Sequence, residues 1–227
     1  MTSEISNIVK DLVLSIDNTI VGTFDEDSGK TYFCNTKWAR IGKQVTDEGG
    51  DIYLITDIEP NEWIIAEPVN GQNDLNGIVY LPDLYWITGT KLAANMEWTK
   101  ANKTVMSKTP LIWLVELIRY RKFGRESTID FESDLRLFFL DETNVTQFYT
   151  ADHRDNVVYP MEQLVNEFIG VIKANKSFET IENYEVITFS RFGVEQQNGM
   201  FKNILDANLS GVELRINLRK YKQNCKC

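Results

Sequence analysis

Two stretches of strict alternation constrain this chain more than anything else in it. Ile129, Phe131, Leu135, Leu137 and Phe139 share one face against Asp130, Glu132, Asp134 and Arg136, and Val212, Leu214, Ile216 and Leu218 alternate with Glu213, Arg215, Asn217 and Arg219. A period of two sends successive side chains to opposite faces, so each run predicts a long strand with one buried and one polar face. The closing strand in particular suits an antiparallel sheet covered on one side. Between the two runs, Met161, Leu164, Val165, Phe168, Ile169 and Ile172 recur at spacings of three and four behind Pro160, which suits a first helical turn.

The rest of the chain is read around that frame. Ile5, Ile8, Val9, Leu12, Val13 and Ile16 form one apolar stripe, predicting an amphipathic helix over 1–18 that needs a surface to pack on. From 19 to 98 short apolar runs alternate with turn signals, which reads as a β-rich module. Ile20–Phe24 and Thr31–Cys34 suit a hairpin across the acidic turn 25–30, and Ile52–Ile58 and Trp63–Ala66 suit two more strands. Ile78–Leu81 and Leu84–Ile87 continue the pattern, with Pro82 separating them. Residues 99–109 are polar or small and read as a connector. Leu111–Tyr120 is either a buried strand or a short helix, which periodicity does not decide. Tyr184–Phe192 reads as a further strand.

A formal charge of −9 over 227 residues argues against a protein that coats nucleic acid, because phosphate binding needs a basic field. No apolar run is long enough to span a bilayer, and the start lacks the order of a signal peptide, so the expectation is a cytoplasmic chain without a membrane partner. Three cysteines, Cys34 and the pair Cys225 and Cys227, make no disulfide framework.

Each candidate for chemistry has a plainer reading. Gly29-Lys30-Thr31 ends like a phosphate loop, but Phe24 stands where its first glycine belongs and the context is strand–turn–strand. Asp25, Glu26 and Asp27 lack calcium-loop spacing. His153, the only histidine, lies in the polar run Asp152–Asp155, which predicts an exposed loop. Cys34 falls in a predicted strand, where a buried inert thiol is expected. Cys225-Lys226-Cys227 is too close-spaced for half a zinc site. No catalytic, cofactor-binding or metal residues are therefore assigned. Arg119, Arg121, Lys122 and Arg125 concentrate positive charge and are the candidate interface residues, against the plainer reading of a solvated strand end. Trp38, Tyr53, Trp63, Tyr80, Tyr85 and Trp86 could form a carbohydrate- or protein-binding platform, although filling a small β core is the commoner use.

The C-terminal half resembles the tail-terminator and tail-completion proteins of tailed bacteriophages. The features that carry this are Pro110-Leu111-Ile112-Trp113-Leu114, the strand ending Leu135-Arg136-Leu137-Phe138-Phe139-Leu140, the helix start Tyr159-Pro160-Met161 and the strand Val212-Glu213-Leu214-Arg215-Ile216. The resemblance implies an α+β fold, a small mixed and mainly antiparallel sheet flanked by helices. In it, 110–227 is the tail-terminator-like domain, the 1–18 helix packs on that domain and the β-rich 19–98 is an insertion. It also implies a non-enzymatic virion protein, a homo-oligomeric ring of six-fold symmetry or a multiple, at the neck or tail end. Its partners would be itself and neighbouring neck or tail proteins, with no sequence-specific nucleic acid. The long strands at Ile129–Leu140 and Val212–Leu218 would then offer edges for a neighbouring subunit.

Overall fold

The apolar stripe of the first segment becomes helix α1 (Thr2–Leu14), with Ile5, Val9, Leu12 and Val13 buried. The computed structural model describes residues 2–71, 74–101, 104–115, 119–124, 127–144, 148–197, 200–205 and 207–222. After α1 the chain winds β1 (Thr19–Asp25), β2 (Lys30–Phe33), β3 (Gln44–Asp47), β4 (Ile52–Glu59), β5 (Trp63–Pro68) and β6 (Gly77–Tyr80) into a closed antiparallel barrel, ordered β1-β2-β5-β4-β3-β6. Closure comes from β6 returning to β1, with Ile20 opposite Val79. Alternate residues face inward, so Ile20, Phe33, Val45, Tyr53, Ile55, Ile64 and Val79 fill the interior. Gly22 makes room for one of them: a Cβ there would stand 2.5 Å from the Phe33 ring. The Gly29-Lys30-Thr31 segment closes the β1–β2 hairpin, where Ser28 Oγ donates to Asp25 Oδ2 at 2.6 Å.

The chain then leaves the barrel through β7 (Tyr85–Gly89), α2 (Lys91–Lys100), a 3₁₀ turn (Met106–Lys108), β8 (Leu111–Val115), β9 (Arg119–Lys122) and β10 (Ile129–Glu142). Next come α3 (Thr150–His153), a π turn (Arg154–Val158), α4 (Tyr159–Ala174), β11 (Tyr184–Phe189), the hairpin β12 (Val194–Gln197) and β13 (Met200–Asn203), and β14 (Leu209–Tyr221). The second sheet runs β11-β14-β10-β8-β7, and β9 pairs with β10 further along the edge that β8 occupies. Only the β7–β8 pair in it is parallel. The fold is therefore α+β, a closed barrel joined to a mixed, mainly antiparallel sheet.

On one face of this sheet α4 covers Leu135, Leu137, Phe139, Val212, Leu214, Ile216 and Leu218, and that core is continuous with the barrel interior and α1. The expectation of a sheet covered on one side is corrected by a second cluster on the other face. There Trp113 stacks on Phe138 at 5.4 Å, Phe192 lies 4.9 Å from Phe138, and Trp98 of α2 with Leu209 completes the cover. Lys108 pins α2 in place by donating to the Trp98 carbonyl at 2.7 Å, a cation at a helix C-terminus. Gly211 lets β14 cross β10 tightly: its φ is +151°, and a Cβ there would stand 2.0 Å from the Phe139 carbonyl oxygen.

Other readings of the chain resolve as follows. The strand at β7, read with the β-rich module, pairs with β8 in the second sheet, and α2 occupies 91–100 across the proposed start of the connector. The ambiguous Leu111–Tyr120 divides into strands β8 and β9, with 116–118 outside the described residues. Pro160 stands in the first turn of α4, as its place in the sequence suggested, and helical structure also runs back from there through the π turn to α3. The Tyr159 amide bonds five residues back to Arg154, a wider turn that fits a residue with no N–H to give. Finally, β10 and β14 are interior strands, each paired on both sides, because both carry apolar side chains toward both layers at one end. Among the described strands, the edges of this sheet are β11 on one side and β7 with β9 on the other.

Candidate functional site: a buried ionic joint and an open charged edge

Asp141 falls in phase with Leu135, Leu137 and Phe139 on β10, so its strand points it inward, and it has no exposed surface. Two cations from the loop between β2 and β3 meet it there. Arg40 grips it with both ends of the guanidinium, Nε to Oδ2 at 2.8 Å and Nη2 to Oδ1 at 3.0 Å, while Nη2 and Nη1 also donate to the carbonyls of Glu142 and Ile41. Lys43 Nζ lies 2.7 Å from Asp141 Oδ1 and donates to the Thr109 hydroxyl at 2.6 Å and carbonyl at 3.1 Å. All three ammonium protons thus have acceptors. Burial alone would push the Asp141 carboxyl up, but the charges of Arg40 and Lys43 overcome it and hold the group well below the usual carboxylate range. Burial pulls the Lys43 ammonium down, against the pull of Asp141 and with the help of Arg40. The cluster is a rivet between barrel and sheet: its groups are saturated with partners, which leaves none for proton transfer to a substrate.

The other charged feature runs across the sheet's polar face. Arg121 of β9 stands opposite Glu132 of β10, which stands opposite Arg219 of β14, whose Nη1 donates to Glu179 Oε2 at 3.1 Å. The segment before β11 continues the sheet, since the Glu179 amide donates to the Arg219 carbonyl at 2.9 Å. Nearby, Glu213 accepts from Arg136 at 2.6 Å and from Arg215 at 2.7 Å, and Arg215 reaches Glu185 at 3.1 Å. Burial raises the Glu213 carboxyl, but these two arginines bring it below its ordinary value. At the Arg219–Glu179 end of the row, Glu179, Ile181, Glu182, Asn217, Arg219 and Tyr221 line a recess of about 380 Å³.

Of the candidate interface residues, Arg119, Arg121 and Lys122 lie on β9, with Arg121 and Lys122 exposed, and Arg125 lies outside the described residues. Cys225 and Cys227 also lie outside them. His153 corrects its expected exposed loop: the helix extends back to 150, and the ring is buried with Nδ1 2.7 Å from Thr143 Oγ1 and 3.4 Å from Ser210 Oγ. Ser210 gives its proton to the Ser190 carbonyl at 2.6 Å and is itself fully buried, so this pair is not arranged as a nucleophile and base. Cys34 is exposed, just past the end of β2, rather than buried in a strand. Among the described residues no group of three or more His, Cys, Asp or Glu is placed to hold a metal. The aromatics do not make one platform. Trp38 and Tyr53 are core residues, Trp86 packs on the main core, Tyr85 meets Trp98 at 6.4 Å, and Trp63 and Tyr80 sit on barrel strands that are not neighbours.

Comparison of the chain with protein-family models, curated proteins and solved structures finds no match. The sequence reading missed Arg40, Lys43 and Asp141. The signal for Asp141 was present, a carboxylate in the phase of a buried face, whereas Arg40 and Lys43 carry no local mark.

Proposed function

We propose that this chain is a virion structural protein of a tailed phage, assembling into a ring at the neck or tail end that completes the tail or joins it to the head. The observation that carries the reading is the open sheet edge formed by Glu179–Phe189, where Tyr184 and Val186 are exposed at 40% and 36%. An exposed edge strand with apolar side chains is a template for another chain, and an assembly protein covers it on assembly. The ionic joint supports the same reading, because a saturated buried charge cluster fixes the barrel on the sheet and makes a rigid two-module subunit. The resemblance of 110–227 to tail-completion proteins supplies the setting, with neighbouring neck or tail proteins as further partners and six-fold symmetry or a multiple as the expectation. The test is electron microscopy, with antibody labelling, of particles of the phage that encodes the chain. Label in a ring at the neck or tail end is expected; particles that lack the chain would overturn the proposal.

A further inference from the structure

We infer that two copies of this chain pair β11 against β11 about a two-fold axis at Val186, joining their sheets into one and seating Tyr184 of each copy in a recess of the other. This rests on the self-assembly reading above and names what covers the open edge.

Shape, register and charge together point to a second copy as the occupant. Among the described residues β11 pairs with β14 alone. The chain stays beside β14 at both ends of β11, the Glu179 amide donating to the Arg219 carbonyl and the Phe192 amide to the Leu209 carbonyl, so no described strand lies outside this edge. Phe189 packs on Phe138 in the α2 cluster, whereas Thr188 and Ser190 face the start of α4, so alternation puts Tyr184, Val186 and Thr188 on the α4 face. There Thr188 and Ser190 line a recess of about 470 Å³ with Arg154, Val158, Tyr159 and Glu162. Antiparallel pairing centred on Val186 sets that residue against its own counterpart and each Tyr184 directly opposite a Thr188. Directly opposed Cβ atoms lie about 4.5–5.5 Å apart. Each exposed Tyr184 ring therefore enters the other copy's recess, where Val158 offers an apolar wall and Arg154 and Glu162 offer partners for the hydroxyl. The same register sets Glu185 opposite Ile187 and brings exposed Arg191 level with Ile181 and Glu182 of the other copy. Centring one residue earlier would set Glu185 on Glu185, where like charges oppose pairing, and one residue later would set it on Phe189.

The contact is isologous and closes at two copies, so a ring needs a second contact elsewhere on the surface. Full-length chains test it. Sedimentation velocity over a concentration series should show a wild-type dimer, and Tyr184→Ala and Val186→Lys should each weaken association by about tenfold or more, with circular dichroism confirming folding. Crosslinking reads the register. In a chain carrying Cys34→Ser, Cys225→Ser and Cys227→Ser, adding Val186→Cys should give a covalent dimer on mild oxidation, because the two thiols meet at the axis. Adding Tyr184→Cys or Thr188→Cys alone should give none, whereas an equimolar mixture of those two chains should give a covalent heterodimer. A monomeric wild type, unchanged association in both single variants, or crosslinking absent from both the Val186→Cys chain and the mixture would overturn the inference. Label in rings on particles despite those results would leave the functional proposal standing and move the contact elsewhere; crosslinked dimers of a chain absent from particles would do the reverse.

Discussion

The barrel and the sheet are both antiparallel β structure, yet they treat their edges in opposite ways. Barrel strands of four to eight residues return on themselves and leave no edge. The sheet is built on strands of 14 and 13 residues, too long for so tight a closure, and ends at an open β11. Short strands can tilt around a small interior, while long ones form a plate that needs cover on its faces and leaves its rim available. Closure makes the barrel self-sufficient; the plate depends on α4, α1 and α2 for its faces and, in our proposal, on a neighbour for its rim.

The sharpest way to break that pairing of modules is at the joint. Asp141→Asn leaves Arg40 and Lys43 buried without a countercharge and should cost about 3–5 kcal/mol, read as a lower urea midpoint. Separate barrel and sheet transitions would confirm that the joint couples them; a loss below about 1 kcal/mol would show the coupling lies in the apolar core. Acid reaches the same group. Because the folded Asp141 carboxyl sits below its unfolded value of about 3.9, its contribution is complete above that pH and is lost as pH falls toward the folded value. The Asn variant should lack that part of the acid dependence.

Two glycines compare the modules at one atom each. In the sheet, Gly211→Ala sets a methyl against the Phe139 carbonyl at a φ that side chains rarely adopt, and about 3 kcal/mol or more is expected. In the barrel, Gly22→Ala meets the Phe33 ring, which can turn, so about 1–3 kcal/mol is expected from the same denaturation measurement. Equal costs would mean the barrel interior is as unyielding as the strand crossing. The smallest effect is expected on the barrel exterior, where Lys30 Nζ lies 3.7 Å from the Trp63 ring. Trp63→Ala should cost about 1 kcal/mol or less, and a larger loss would assign Trp63 a place in the barrel's core.

What the sequence made legible follows from how each region buries its side chains. The runs at 129–139 and 212–218 and the helices α1 and α4 have one dominant period, and they stand as read. β3 was invisible because Gln44–Asp47 buries only Val45, and α2 because Leu92 and Met96 are exposed while Ala94 and Trp98 alone are buried. His153 looked solvated amid charges, but it lies on a helical turn whose inward side meets Thr143 and Ser210. Strand order was not legible at all. Alternation fixes which face of β10 and β14 is buried and says nothing about which strands lie beside them, so the strongest strand signals were taken for edges when they are the sheet's centre. The ionic joint brings together residues about a hundred positions apart, and only the carboxylate at the core phase of β10 hinted at it.

The place of α1 in the chain sets an order of events during synthesis. The barrel strands are complete by Tyr80, so the barrel can close as soon as that length has emerged. Helix α1 is made before the barrel but packs against α4, which ends at Ala174. At ribosomal rates of about 5–20 residues per second, its stripe of Val9, Leu12 and Val13 waits roughly ten to thirty seconds for that surface. A helix of 13 residues is marginal alone in water, so through this interval the α1 segment samples coil and offers apolar side chains to any chaperone near the exit. A segment made before the barrel thus finds its seat after it.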